Sequence, residues 1–280
     1  MSSAAIVQLA HVGAPALRFA AVSCAFPHRE REGTYTAVHE ASFHIDEGEF
    51  VSVVGPTGCG KSTLLNVAAG LLRPTAGAAY VHGERLQGVN RDAGYMFQAE
   101  ALLPWKNALD NVIAGWLFRG RQRAQVQELG LQWLARVGLD GFADRYPHQL
   151  SGGMRKRVAL AQMLIMQPRL LLMDEPFSAL DVQTRHLMEN ELLDIWAADR
   201  RSVLFVTHDL EEAIALSDRV IVLSAGPGTH PIAEYRIDLP RPRDVNEIRL
   251  EPEFQRVHGE IWNCMRSEVH KGYEQTRRAA

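Results

Sequence analysis

The chain has 280 residues, of which 46% are hydrophobic and 22% are charged. These proportions belong to a folded globular protein and exclude a disordered chain, a collagen-like repeat and a disulfide scaffold. Lysine and arginine number 30 against 33 aspartates and glutamates, a net charge of −3, so no global basic field attracts nucleic acid or an anionic membrane. The three cysteines, Cys24, Cys59 and Cys264, show no metal-ligand spacing, which favours a reducing compartment.

The sequence predicts neither export nor a membrane span. Residues 1–15, interpreted as an N-terminal tail, contain no lysine or arginine, whereas a signal peptide has a charged start. The most apolar stretch, residues 158–173, includes polar and charged side chains. A spanning helix needs about 18 apolar residues in a row, so we expect the chain not to cross a membrane.

The chain order of apolar patterns predicts an α/β fold. Residues 16–50 contain short β-like runs around a polar turn at 28–33, as in a small antiparallel sheet with a hairpin. Later runs are apolar without alternation, which predicts strands of a buried parallel sheet. They are residues 49–54, 170–173 and 203–206. Helical spacing between these runs, as from Val126 to Val137, indicates α/β layering.

Two further segments are predicted to be helical. Residues 98–166 lack a strong strand run, so we interpret them as a helical subdomain inserted into a domain that spans residues 16–265. Residues 240–280 form a C-terminal extension that begins with a Pro-interrupted stretch and is expected to pack on the core. Its helically spaced apolar positions are Phe254, Val257, Ile261 and Met265.

A glycine-rich loop follows the first buried run and precedes an apolar helix pattern. Its glycines allow backbone amides to line a polyphosphate, and the helix N-terminus adds a partial positive charge. Lys61 is expected to reach the β- and γ-phosphates, and the Ser62 hydroxyl is expected to bind Mg²⁺. The alternative is a turn with a solvated lysine. The residues predicted to contact the nucleotide are Gly55, Pro56, Thr57, Gly58, Cys59, Gly60, Lys61, Ser62 and Thr63.

Polar residues end the other two buried runs. Ligands of α/β sheets bind at the carboxyl ends of strands, so Asp174 is expected to hold Mg²⁺, most simply through water. Glu175 is expected to orient or deprotonate the attacking water. His208 is expected to donate to the γ-phosphate and to hold the water and Glu175 in register. The alternatives are solvated acids and a structural histidine.

With the motif Leu-Ser-Gly-Gly-Met at residues 150–154, these elements resemble the ATP-binding subunits of ATP-binding cassette (ABC) transporters. The resemblance implies a P-loop NTPase core with a mostly parallel sheet, a small antiparallel β subdomain and an inserted helical subdomain. It also implies that ATP hydrolysis drives a membrane permease. In that family, Ser151, Gly152 and Gly153 would contact ATP held by the facing subunit, so the resemblance implies a dimer.

The resemblance implies further roles by position. Gln98 looks like the loop glutamine that contacts Mg²⁺ and water. Asp181 lies in the loop that couples the two ATP sites. Phe26 takes the place of the aromatic side chain that stacks on adenine, with Tyr35 as the alternative.

A narrower resemblance is to the ATPases of nitrate, sulfonate and taurine-type importers. It rests on residues 173–181, 207–213 and 239–244. Two residues depart from the common pattern: Met154 stands where many ABC proteins have glutamine, and Gln162 where importers commonly have arginine. The implied partners are a second copy or a homologous ATPase subunit, integral membrane permease subunits and, indirectly, a periplasmic or extracellular substrate-binding protein. The implied place is the cytoplasmic face of the inner membrane.

Large apolar residues follow Gln98 in a loop region. Leu103 and Trp105 are interpreted as part of the groove that receives a coupling helix of the permease. Ordinary packing within the helical subdomain is the alternative.

Two other classes of function are alternatives. A soluble ABC ATPase acting on nucleic acid or ribosomes usually carries a long coiled-coil insertion or a second cassette, and neither is visible. The basic cluster at residues 155–157 is interpreted as a solvated or dimer-contact face, so no nucleic-acid partner is expected. A small-molecule kinase would leave the Leu-Ser-Gly-Gly motif and His208 unexplained.

Cys59 lies in the glycine-rich loop near a helix N-terminus and Lys61. Such surroundings lower thiol pKa values. The sequence therefore predicts a thiol whose alkylation blocks ATP hydrolysis and from which ATP protects.

Overall fold

A computed structural model describes residues 13–27, 33–99 and 101–279. Most of the predicted tail at residues 1–15 and of the polar turn at 28–33 therefore lies outside the described residues. The strands are β1 (Leu17–Pro27), β2 (Thr34–Ile45), β3 (Phe50–Val54), β4 (Ala76–Val81), β5 (Glu84–Arg85), β6 (Ala93–Met96), β7 (Leu170–Asp174), β8 (Ser202–Val206), β9 (Arg219–Leu223) and β10 (Pro231–Arg236). The helices are α1 (Lys61–Ala68), α2 (Ala108–Val112), α3 (Ala114–Phe118), α4 (Arg123–Arg136), α5 (Gly152–Leu164), α6 (Val182–Asp199), α7 (Leu210–Leu216), α8 (Val245–Ile248) and α9 (Pro252–Ala279), with a 3₁₀ turn at Pro147–Gln149.

The larger sheet carries the parallel strands that the apolar runs predict. Its order is β10-β9-β3-β8-β7-β6, and its pairs are parallel except β10 with β9. Every residue of β3, β8 and β9 is buried, because helices and the second sheet cover both faces. The second sheet is antiparallel, in the order β2-β1-β4-β5.

Helices α2 to α5 occupy the chain between β6 and β7. They pack on one another and on β6, and their apolar residues join the core through side chains such as Trp133, Val158 and Leu164. This insertion brings the end of β6 and the start of α5 to one side of the parallel sheet. Among the described residues, no helix has the length and hydropathy to span a bilayer.

The C-terminal helix packs on the core. Phe254, Val257, Ile261 and Met265 are all buried, at the spacing of one helix face. α9 contacts α7 and β9. This apolar face explains why the described part of the extension lies on the domain.

Arg243 fixes the start of that extension. Its guanidinium is buried, and burial lowers its pKa to about 10, which leaves it charged at neutral pH. The side chain donates to carbonyl groups at the end of α7 and in the segment after β10. These acceptors are Ile214, Ala215, Ser217, Ile237 and Leu239, at 2.7 to 3.3 Å.

Replacing Arg243→Met keeps an unbranched apolar side chain, shorter than that of arginine, and removes every donor. We expect the free energy of unfolding to fall by about 2–4 kcal/mol, because buried carbonyl groups lose their partners. Denaturant titration measures this change. The control Arg236→Met removes an exposed arginine of β10 and should change stability by about 0.5 kcal/mol or less. Equal effects of the two changes would contradict this role for Arg243.

Candidate nucleotide site

The glycine-rich loop connects β3 to α1. Gly58 and Gly60 have φ values of +77° and +115°, in the region where side chains are strained. A β-carbon on Gly60 would also lie 3.2 Å from Val38 Cγ2. Glycine is therefore required for the turn that leads into the N-terminus of α1.

Lys61 begins α1 and folds back over the loop. Its Nζ atom donates to the carbonyl groups of Gly55 at 2.9 Å and Pro56 at 3.1 Å. A lysine ammonium has three donors, so these contacts leave one for an anion. The buried side chain thus places a positive charge where the loop amides and the helix N-terminus also attract phosphate.

Ser62 and Asp174 form the candidate metal site. Ser62 Oγ donates to Asp174 Oδ1 at 3.0 Å. Burial raises the pKa of Asp174, and the Ser62 hydroxyl and Lys61 offset only part of this effect. A carboxylate and a hydroxyl are hard oxygen ligands, and a buried carboxylate without full compensation favours a cation. The pair therefore suits Mg²⁺.

Tyr95 of β6 was not singled out from the sequence but belongs to this site. Its hydroxyl interacts with Asp174, and burial, followed by the Asp174 charge, raises the tyrosine pKa. β6 pairs with β7 in parallel. The signal that could have found Tyr95 is its place on a strand next to the one that ends in Asp174.

Gln98 and His208 converge on one carboxylate oxygen of Glu175. Gln98 Nε2 donates to Glu175 Oε2 at 3.2 Å, and His208 Nδ1 lies 3.1 Å from the same atom. Glu175 has a φ of +43°, and its N–H donates to the Val206 carbonyl at 2.8 Å. The backbone bond to β8 holds Glu175 in this strained conformation.

Lys156 corrects the interpretation of the basic cluster as a solvated face. It is 1% exposed, and its Nζ atom donates to the Gln98 carbonyl at 2.6 Å. Arg155 and Arg157 donate to the carbonyl groups of Leu150 and Val137. Lys156 is buried because α5 packs against β6, and a pattern of charges in the sequence does not reveal such packing.

Ser151 starts α5 and accepts the backbone N–H of Met154 at 3.3 Å. Ser151 is exposed, whereas Gly153 packs so closely that a β-carbon would lie 2.7 Å from Thr184 Cγ2. Among the described residues, no hydrogen bond or ion pair connects residues 151–153 with residues 55–63.

Asp181 caps α6. Its side chain accepts the Thr184 N–H at 3.0 Å, and this N–H lowers the pKa of the carboxyl. Since Thr184 also contacts the Gly153 position, the Asp181 cap places the start of α6 beside the start of α5.

The two aromatic candidates lie directly opposite each other on β1 and β2. Phe26 is partly buried against the core, and Tyr35 is its register partner. The Tyr35 hydroxyl lies 3.4 Å from a β-carbon position on Gly226, which is itself 3.6 Å from Cys59 Cα. Stacking of either ring on adenine stays a prediction.

The prediction of a lowered Cys59 pKa is wrong. Cys59 is 2% exposed, and burial raises the pKa of its thiol, against the smaller lowering effects of Lys61 and backbone N–H groups. Desolvation disfavours the thiolate more strongly than the neighbouring charge favours it. The thiol is therefore protected in the folded chain.

Comparisons with known proteins show the family to which the chain belongs. The ABC transporter family model matches residues 38–178. An ABC transporter ATP-binding protein of Methanocaldococcus jannaschii is 45% identical over 236 residues, which cover 84% of this chain and 86% of that protein. A nitrate import ATP-binding protein of Synechocystis sp. is 42% identical, over 84% of this chain and 90% of that protein. A taurine import ATP-binding protein of Rhizobium johnstonii is 42% identical, over 81% of this chain and 88% of that protein.

A solved structure shows the same fold. It is a dimeric ATP-binding cassette in a post-hydrolysis state, bound to ADP and phosphate. The match has a TM-score of 0.70 and a sequence identity of 30%. It covers 80% of this chain and 100% of the chain in the solved structure. The predicted fold class is confirmed, and the chain belongs to the ATP-binding proteins of the ABC transporter family, which hydrolyse ATP.

Proposed function

We propose that this chain is the ATP-hydrolysing subunit of a membrane importer of the nitrate, sulfonate or taurine type. The names of the nitrate and taurine relatives support import. The observation that carries the proposed chemistry is the convergence of Gln98 and His208 on Glu175, at 3.2 and 3.1 Å. That arrangement lies beside the phosphate loop and the candidate metal site.

Phosphate and metal binding are assigned to different residues. The loop at residues 55–63 holds the phosphates through its amides and Lys61. Ser62, Asp174 and Gln98 would hold Mg²⁺, which when bound neutralises charge on the phosphates. Among the described residues, no group of three or more His, Cys, Asp or Glu could hold a metal. This fits a cation that protein and nucleotide share.

Glu175 positions the attacking water. Gln98 and His208 both contact Oε2, so Oε1 remains to accept a hydrogen bond from water and then its proton. His208, with its ring about half exposed, also donates toward the γ-phosphate. Placement of these groups, rather than covalent chemistry by the protein, supplies most of the rate enhancement.

A second copy or a homologous subunit completes the site. Ser151, Gly152 and Gly153 form a helix start at which Ser151 is exposed and the two glycines are partly exposed, and a helix N-terminus binds anions well. The dimeric cassette with ADP and phosphate supports this arrangement. The cap that Asp181 forms places the starts of α5 and α6 side by side. In the proposed dimer, Asp181 would couple one ATP site to the other.

The surface after Gln98 is proposed to dock the permease. Trp105 is 71% exposed, so ordinary packing does not account for it, while Leu103 is partly buried next to it. Large exposed aromatic residues often anchor protein interfaces. Docking here would place the chain peripherally on the cytoplasmic face of the membrane. A substrate-binding protein would then act on the far side, through the permease.

The basic cluster at residues 155–157, the surface best suited to nucleic acid, is engaged within its own chain. The basic residues of α5 are engaged with carbonyl groups of their own chain, as Lys156 is with Gln98, and the net charge is −3. Phosphate backbones bind proteins mainly through accessible lysine and arginine. Transport is therefore the better supported function.

Replacing Glu175→Gln should separate ATP binding from hydrolysis. The amide keeps the size of the side chain but cannot take a proton, so turnover should fall by about a hundredfold or more. ATP affinity should be retained, and ATP should produce a long-lived dimer. ATPase assays, equilibrium binding and light scattering measure these effects. Glu84→Gln, an exposed acid of β5, is the control. Turnover near the unmutated rate would contradict the assignment.

Replacing Trp105→Ala should weaken assembly with the permease while ATP binding is kept, because the ring is exposed and Trp105 is not among the residues assigned to the nucleotide. The tagged chain is extracted from its source cells in mild detergent, and copurifying proteins are identified by mass spectrometry. Trp262→Ala, which removes another exposed tryptophan on α9, is the matched control. Parallel loss of ATP binding and of assembly would count against the docking surface. Recovery of soluble partners alone would overturn transport.

A further inference from the structure

Behind His208 lies a buried group of charged side chains that the proposed chemistry does not use. Glu212 on α7 is 4% exposed, and Glu189 on α6 is 0% exposed. In the part of the chain that the structure describes, the Oε1 atom of each carboxyl group is buried without a hydrogen-bond partner. Burying an unpartnered carboxylate is costly, so the two acids call for an explanation.

Glu212 holds the residue before His208. The Thr207 hydroxyl donates to Glu212 Oε2, and the hydroxyl oxygen, Thr207 Oγ1, accepts the N–H of Asp209 at 3.0 Å. Thr207 is buried, so its hydroxyl has few alternative partners. The hydroxyl therefore closes a bridge across the backbone of His208 and ties it to Glu212.

Arg185 holds the residue after His208. Its Nη1 atom lies 3.2 Å from Asp209 Oδ2, and its Nη2 atom donates to the Leu180 carbonyl at 3.2 Å. Leu180 directly precedes Asp181, the cap of α6. Both neighbours of His208 are therefore tied to one buried cluster, which also reaches the loop before α6.

We propose that Glu212 is a positioning residue, which acts through Thr207 to hold His208 against Glu175. The proposal rests on the role of His208 proposed above. The His208 side chain is 54% exposed, so packing alone does not fix its ring. Its position depends on its backbone, which the bridge through Thr207 holds.

A neutral carboxyl group suits the position of Glu212. Burial, opposed in part by the Thr207 hydroxyl and reinforced by the charge of Glu189, raises the pKa of Glu212 to about 8. Burial likewise raises the pKa of Glu189 to about 7. At pH 7 Glu212 is therefore mainly protonated, and Oε2 still accepts the hydroxyl of Thr207.

The surroundings of Glu212 carry charges of both signs. They are Arg185, His186 and Glu189 of α6, Asp209 and Glu211 at the start of α7, Arg249 after α8, and Arg243, which precedes α8 and donates to carbonyl groups at the far end of α7. α9 also packs on α7, and its buried residues between 254 and 265 are apolar. Ionisation of Glu212 thus adds a negative charge beside Glu189 and Asp209, which opposes the arrangement.

Two changes at Thr207 test the bridge. Thr207→Val removes the hydroxyl at nearly constant volume, and we expect kcat for ATP hydrolysis to fall about tenfold to hundredfold. KM for ATP should stay within about twofold, because the phosphate contacts are unchanged. Thr207→Ser keeps the hydroxyl and should retain most of the activity. Steady-state ATPase assays of the full chain measure all three proteins.

Glu212→Gln tests the protonation state. Glutamine keeps a neutral acceptor for Thr207, so kcat at pH 7 should stay within about threefold of the wild-type value. The ratio of wild-type kcat to that of E212Q should fall as pH rises through about 8. The control Glu211→Gln removes a carboxyl that is 51% exposed at the start of the same helix. It should keep the wild-type pH profile.

Thermal unfolding supplies a readout that does not depend on activity. The folded chain holds the Glu212 proton more tightly than the unfolded chain does. In the unfolded chain the pKa of this carboxyl group has its ordinary value of 4.5. Wild-type stability relative to E212Q should therefore fall as pH rises from about 4.5 to about 8 and be level above that. A difference in Tm between the two proteins that does not change with pH would contradict a protonated Glu212.

His208→Ala separates failure of this proposal from failure of the proposed function. Unchanged kcat in H208A would refute the role of His208 itself. Loss of kcat in H208A with unchanged kcat in T207V would show that Glu212 does not position His208. A wild-type to E212Q ratio of kcat that stays constant between pH 7 and 9 would contradict the protonated state of Glu212 and its disturbance by ionisation.

Discussion

The lateral order of three parallel strands decides where the candidate site residues lie. β8 lies between β3 and β7, and Val206 is in register with Val53 on one side and Asp174 on the other. After these positions, β3 continues into the phosphate loop, β8 leads to His208, and β7 leads to Glu175. A slip of one residue between β7 and β8 would turn their side chains to opposite faces. The buried apolar faces that set the register therefore also align the site.

The exposed side chains of this site are held in place, through their backbone, by polar and charged side chains behind them. Gln98 offers its side chain to Glu175, while buried Lys156 holds its carbonyl group. His208 is exposed, and Glu212 and Arg185 hold the residues on either side. A side chain that must meet nucleotide and water cannot be packed on every side. Its backbone is the part that the protein can fix, and buried hydrogen bonds do so because leaving their donors and acceptors unpaired would be costly.

Much of this arrangement follows from the sequence. The apolar runs predicted β3, β7 and β8, because buried parallel strands tolerate little else, and local motifs located the loop residues, Asp174 and Glu175. Sequence could not show that Lys156 is buried or that burial outweighs Lys61 in setting the pKa of Cys59. Both depend on how distant segments pack. Glu212 was missed for the same reason, since an acid on a short helix is ordinarily solvated.

In the proposed function one copy cannot complete its own ATP site, and a mixture of two inactive variants shows whether a second copy supplies the missing half. Gly152→Asp places a negative charge at the exposed start of α5, where a β-carbon has no contact closer than 3.8 Å. Glu175→Gln disables hydrolysis at the other half-site. Each variant alone should be inactive, whereas dimers formed by mixing contain one intact site and should regain ATPase activity. A mixture no more active than its separate components would contradict a site shared between two copies.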